Sequence, residues 1–67
     1  MERNIQISWN AVVEEARARR KAQGLSQARL AAVAGVTQPT VSRFERFEDD
    51  IRLSSVLRIL RVLGMAD

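Results

Sequence analysis

The ten residues TQPTVSRFER, positions 37–46, carry side chains that suit recognition better than reaction. Wound as a helix at about 100° per residue, Pro39, Ser42, Arg43 and Arg46 share one face, with Thr40 on its flank and Gln38 at its N-terminal tip. Val41, Phe44 and Glu45 turn the other way. The outward groups are small or rich in donors. A helix enters the major groove of B-form DNA only if its exposed face is not bulky. There an amide such as Gln38 can bridge adenine, a guanidinium such as Arg43 can bridge guanine, and the Pro39 ring can touch a thymine methyl. Helix N-termini favour phosphate, so Gln27 and Thr37, at the starts of two predicted helices, suit backbone contacts. The candidate contact set is therefore Gln27, Thr37, Gln38, Pro39, Thr40, Ser42, Arg43 and Arg46.

The elements that must hold this face are legible from caps. Ser26 and Thr37 are strong helix starters, because their side-chain oxygens satisfy backbone N–H groups that are otherwise orphaned. Gly35 can take the left-handed conformation that ends the first of these helices, and Pro39 sits in the first turn of the second, where its missing N–H costs little. Residues 26–45 thus read as helix, turn, helix, a pair too short to be stable alone. A preceding helix starts at Ser8, with Ile7 and Val12 placed as a hydrophobic staple, and stops near Gln23 and Gly24. Val12, Val13 and Ala16 share its apolar face, and Arg20 projects among them. A charge there needs a partner. Glu45, on the inward side of the third helix with Val41 and Phe44, is the single acid of the basic half of the chain, so Arg20 and Glu45 are expected to form a largely buried ion pair.

A fourth helix is predicted from Leu53 to Leu63, after the irregular acidic segment FEDDIR. Its apolar residues sweep an arc of roughly 220°, about twice the stripe needed to cover one core. With Leu53, Val56, Leu57 and Leu60 assigned inward, Ile59 and Val62 are surplus. Together with Met65, and with Leu63, Ile5, Ile7 and Trp9 beside them, they are expected to form a dimer interface. Residues 1–7 read as an N-terminal arm and residues 8–67 as one all-α domain of four to five helices.

Composition narrows the function further. The 67 residues include no histidine, cysteine or tyrosine, and no glycine-rich phosphate loop, so an enzyme is a poor fit. No cofactor is implied. Glu48, Asp49 and Asp50 lack the spacing and central glycine of a calcium loop, so no metal site is expected. Absence of cysteine suggests a reducing, cytoplasmic setting, and the short apolar runs predict a soluble chain without a membrane span or secretory signal. Net charge is only +3, yet residues 17–46 hold seven basic residues against one acid, a net of +6, which predicts an electropositive side. A chain of this size buries only about 60 % of the surface it exposes unfolded, so help from a partner is expected.

The segment GLSQARLAAVAGVTQPTVSRFE resembles the helix-turn-helix of the phage-repressor class, the Cro/cI-type or XRE family. The likeness covers about residues 10 to 65 and rests on Gly24-Leu25-Ser26-Gln27, Leu30-Ala31, Gly35-Val36, Thr37, Val41-Ser42 and Phe44-Glu45 as a set. It implies a lambda-repressor-like fold. It also implies that Gln27 grips phosphate, that Gln38, Pro39, Thr40 and Arg43 read bases with Ser42 at base or backbone, and that an arginine at position 20 pairs with Glu45. Where the family often has an Asn-Gly turn this chain has Arg46-Phe47, and the next loop, often basic, is acidic, so Arg46 or Arg52 is expected to take over phosphate contact. The ending FEDDIRLSSVLRILRVLG is similar to HipB-type antitoxins, which repress their own operons as dimers. The implied function is a dimeric, sequence-specific transcriptional repressor on an inverted-repeat operator, of phage, mobile-element or antitoxin type, associated with the bacterial or phage nucleoid. The alternative is an adaptor or antitoxin whose main role is to bind a partner protein such as a toxin.

Overall fold

Ser8 opens the first helix: its Oγ accepts from the Ala11 amide at 3.3 Å, and α1 runs over Trp9–Ala22 in a computed structural model that describes residues 8–67. The expected arm over residues 1–7, with Ile5 and Ile7, lies outside the described residues. Ser26 Oγ accepts from the Arg29 amide at 3.0 Å and starts α2, Gln27–Ala34. Gly35, at φ 75°, ends it by donating its N–H back into the last turn. Thr37 Oγ1 accepts from the Thr40 amide at 3.4 Å and starts α3, Gln38–Glu45, with Pro39 in its first turn. The last helix, α4, spans Leu53–Val62 and has no side-chain cap at its start. No strand occurs among the described residues.

The core gathers one face from each helix. Val13 and Ala16 of α1, Leu30, Ala31 and Ala34 of α2, Val41 and Phe44 of α3, and Val56 and Ile59 of α4 are buried together with Leu63. Trp9 stacks edge-on against Phe44, their ring centroids 5.5 Å apart and their planes at 87°. Trp9 thus belongs to the core's margin and not to a surplus surface. The α2 helix packs chiefly on α3 and α4, and α1 reaches α3.

The inward face of α4 differs from the expected one. Ile59 is 0 % exposed and Leu63 2 %, whereas Leu53 is 69 % exposed and Leu57 is half-buried. Ile59 is therefore a core residue, not an interface residue. The helix is rotated by about 75° from the predicted setting, on the 100° rule. An arc of about 220° contains two alternative stripes, and periodicity alone does not choose between them. The choice is made by the neighbouring helices. Val56 and Ile59 turn toward α2 and α3, on which α4 packs, and Arg19 of α1 donates from Nη1 to the carbonyls of Leu63 and Gly64, each at 3.1 Å. Burying Ile59 and Leu63 stabilises the fold by about 1.5–3 kcal/mol each. Val62 and Met65 lie half-buried against the core's edge.

Candidate nucleic-acid interface

The face of α3 is set by what its other face buries. Val41 is 0 % exposed, Phe44 1 % and Glu45 6 %, so the helix cannot turn about its axis without breaking the core. The opposite side is left to solvent. Gln38, Pro39, Ser42, Arg43 and Arg46 line one concavity there, of about 400 Å³. Thr37 and Thr40 complete the N-terminal corner, their hydroxyls 2.9 Å apart. The structure thus brings seven of the eight candidate residues to the outer side and end of one helix.

Gln27, the eighth, stands at the first position of α2 and is tied to α3. Its Nε2 donates to Glu45 Oε1 at 3.1 Å. Glu45 is the hub of this corner. Arg20 donates from Nε to Oε2 at 2.6 Å and from Nη2 to Oε1 at 3.0 Å, in the two-point geometry that suits a guanidinium and a carboxylate. Arg20 Nη1 also donates to the Leu25 carbonyl at 2.8 Å, and Arg17 Nε lies 3.9 Å from Glu45 Oε1. Burial alone would push the Glu45 carboxyl up. Hydrogen bonds from Arg20 and Gln27, with the charges of Arg20 and Arg17, outweigh it and hold the group below the ordinary glutamate range. Because an amide has two N–H groups, Gln27 keeps one donor free while Glu45 fixes its orientation.

The acidic loop is not a string of solvated charges. Phe47 takes a left-handed conformation, φ 66°, and reverses the chain after α3, so that the Glu48 amide reaches back to the Arg43 carbonyl at 3.2 Å. Glu48 Oε1 then accepts from Arg43 Nε at 3.1 Å, and Oε2 accepts from Arg46 Nε and Nη2 at 3.1 and 2.9 Å. Asp50 Oδ1 accepts from Arg43 Nη2 at 2.7 Å, and Arg46 Nη1 donates to Ser42 Oγ at 3.2 Å. The hydrogen bonds from Arg43 and then Arg46 hold the Glu48 carboxyl below its ordinary value. The hydrogen bond to Glu48 and then the charge of Asp50 raise Arg43 above its own. Sequence reasoning had no view of this clamp. The signal for it was Arg43 and Arg46 followed within seven residues by Glu48 and Asp50, across a helix end that folds back.

Charge along the chain also overstates charge at the face. Arg19 and Arg20 of the basic half are spent on the Gly64 end and on Glu45, and Arg58 donates to the Gly35 carbonyl at 3.3 Å. No described helix is long and apolar enough to cross a membrane. Among the described residues, no three of His, Cys, Asp and Glu are grouped to hold a metal.

The profile of the Helix-turn-helix family matches residues 17–66, which includes α2, the turn, α3 and α4. A protein of Haemophilus influenzae described as an uncharacterized HTH-type transcriptional regulator is 33 % identical over 54 residues, 81 % of this chain. The chain spans about half the length of that relative, 55 %. With its capped α2 and α3, the left-handed Gly35 between them and that match over most of its length, the chain belongs to the helix-turn-helix family of the Cro/cI, or XRE, type.

Proposed function

We propose that this chain is a sequence-specific DNA-binding domain that regulates transcription, with α3 seated in the major groove. The observation that carries the reading is the division of α3. Its buried side is locked by Val41, Phe44 and Glu45, and its open side presents an amide, two guanidiniums, a hydroxyl and the Pro39 ring around one concavity. Gln38, Pro39, Thr40 and Arg43 are assigned to base edges, Ser42 to base or backbone, and Gln27, Thr37 and Arg46 to phosphates. The description of the Haemophilus influenzae relative as a transcriptional regulator agrees with this assignment.

The working form is proposed to be a two-fold symmetric homodimer acting as a repressor by occupying an inverted repeat, in the cytoplasm at the nucleoid. The apolar surface left for it on α4 is the Leu53–Leu57 line, with Val62 and Met65 at the core's edge. An antitoxin role, with a toxin as second partner, is compatible with the same dimer. Selection of bound sequences from random duplex DNA tests the central reading. The expected result is a palindromic motif with half-site centres about one helical turn apart. Recovery of no motif and no salt-dependent binding overturns it.

A further inference from the structure

We propose that Glu48 and Asp50 are positioning residues for a guanine-reading arginine: they grip the Nε side of the Arg43 guanidinium and leave its end edge free for a base. The inference rests on the DNA-binding reading above and deepens it. A guanidinium has five N–H donors in a fixed plane. Two of those on Arg43 are engaged, Nε by Glu48 at 3.1 Å and Nη2 by Asp50 at 2.7 Å. Nη1 makes no hydrogen bond among the described residues. In the proposed arrangement Asp50 takes the Nη2 N–H beside Nε, so that the other N–H of Nη2 and one of Nη1 form a parallel pair at the tip, the arrangement that bridges guanine O6 and N7.

The clamp is itself held. Glu48 is fixed by the backward turn at Phe47 and by Arg46, which occupies its second oxygen. Two carboxylates on a DNA-facing side repel phosphate, and this weakens binding to every sequence. What they supply in return is discrimination. An unheld arginine that meets an A·T pair swings to a nearby phosphate and recovers much of its contact energy. Arg43 must break two ion pairs to make that retreat, so the wrong base more often leaves its donors unpaired.

Asp49 supplies the control. It lies in the same loop, is exposed, and makes no ion pair among the described residues. Asp49→Asn changes the loop charge by the same amount as Glu48→Gln or Asp50→Asn and leaves the clamp intact. The experiment measures affinity for the selected site, for that site with its Arg43-dependent base pair replaced, and for scrambled duplex, in wild type and the three variants. Arg43→Ala identifies the dependent base pair. All three loop variants are expected to bind scrambled DNA more tightly and to a similar extent. Only Glu48→Gln and Asp50→Asn are expected to lose discrimination at the Arg43 position, by at least about fivefold. In the free protein, the Arg43 Nε–H resonance should move in Glu48→Gln and stay in place in Asp49→Asn. Equal discrimination in Asp50→Asn and Asp49→Asn overturns the clamp while leaving DNA reading intact, as does increased discrimination, which would mark the acids as a block that must open. A folded wild type that binds no DNA overturns both.

Discussion

Glu45→Ala is the most demanding test of how the site is held. The substitution leaves Arg20, whose side chain is 11 % exposed, facing a void with one remaining partner, the Leu25 carbonyl. Removing one member of a buried ion pair costs about 3–5 kcal/mol, mainly because the other charge stays desolvated. A domain of this length has a total stability of about 3–10 kcal/mol at ~0.05–0.15 kcal/mol per residue. The loss is therefore comparable with everything the fold has. At about 4–8 °C per kcal/mol for a small domain, the melting temperature should fall by at least about 12 °C. Circular dichroism against temperature and urea measures this for Glu45→Ala, Arg20→Ala and the double variant. Where Glu45→Ala is too unfolded, Glu45→Gln replaces it. The two residues should couple, the double variant costing less than the sum of the singles by more than about 0.5 kcal/mol. A melting temperature within a few degrees of wild type, or additive single effects, refutes the reasoning. Gln27 provides an internal check, since its amide leans on the same carboxylate.

Arg43→Ala should cost about 1–3 kcal/mol on the preferred DNA site and relax discrimination at one base pair, while Gln27→Ala should weaken all sequences alike; isotherms on single-base variants separate the two. Log affinity should fall linearly with log salt at about −0.9 per phosphate contacted, and Arg19→Met should leave that slope unchanged, because Arg19 serves the end of α4. Phe47→Gly should stabilise the domain by about 1 kcal/mol in urea melts by relieving a left-handed phenylalanine; a loss of similar size would mean that the ring's packing outweighs its strain. Glu45 and Glu48 both have folded values held below their unfolded ones, so their contribution is fully present above the ordinary glutamate range and lost as pH falls through the folded values; acid titration of stability should show the loss there, and Glu45→Gln should flatten it. Leu53→Asp with Leu57→Asp should leave the monomer folded and abolish dimerisation in analytical ultracentrifugation; a variant that still dimerises places the interface elsewhere.

Helix boundaries were the most legible part of the chain because caps are local chemistry. Ser8, Ser26 and Thr37 each satisfy an amide three residues ahead, and Gly35 adopts a conformation that a residue with a side chain disfavours. The Arg20–Glu45 pair was readable for a related reason, since each charge stood among apolar neighbours and nothing else of opposite sign was near on the inward faces. The setting of α4 was not readable. Its face depends on packing against α2 and α3, elements distant in the chain, and no periodicity within the helix contains that fact. The loop clamp was missed because side chains at Arg43 and Asp50 meet only after the chain reverses at Phe47, where glycine or asparagine would have advertised the turn and phenylalanine does not.

The bridge from Arg19 to Leu63 and Gly64 also bears on how the domain opens. It ties the first helix to the end of the last one, so a fluctuation that frees the C-terminal turn must also release Arg19 from both carbonyls. Helix ends ordinarily fray independently of one another. Here the last turn of α1 and the residues after α4 are joined, and α3 lies between them in the chain. The outer face of α3, proposed to read bases, is thus expected to gain protection in hydrogen exchange from a contact outside it, protection that Arg19→Met should reduce.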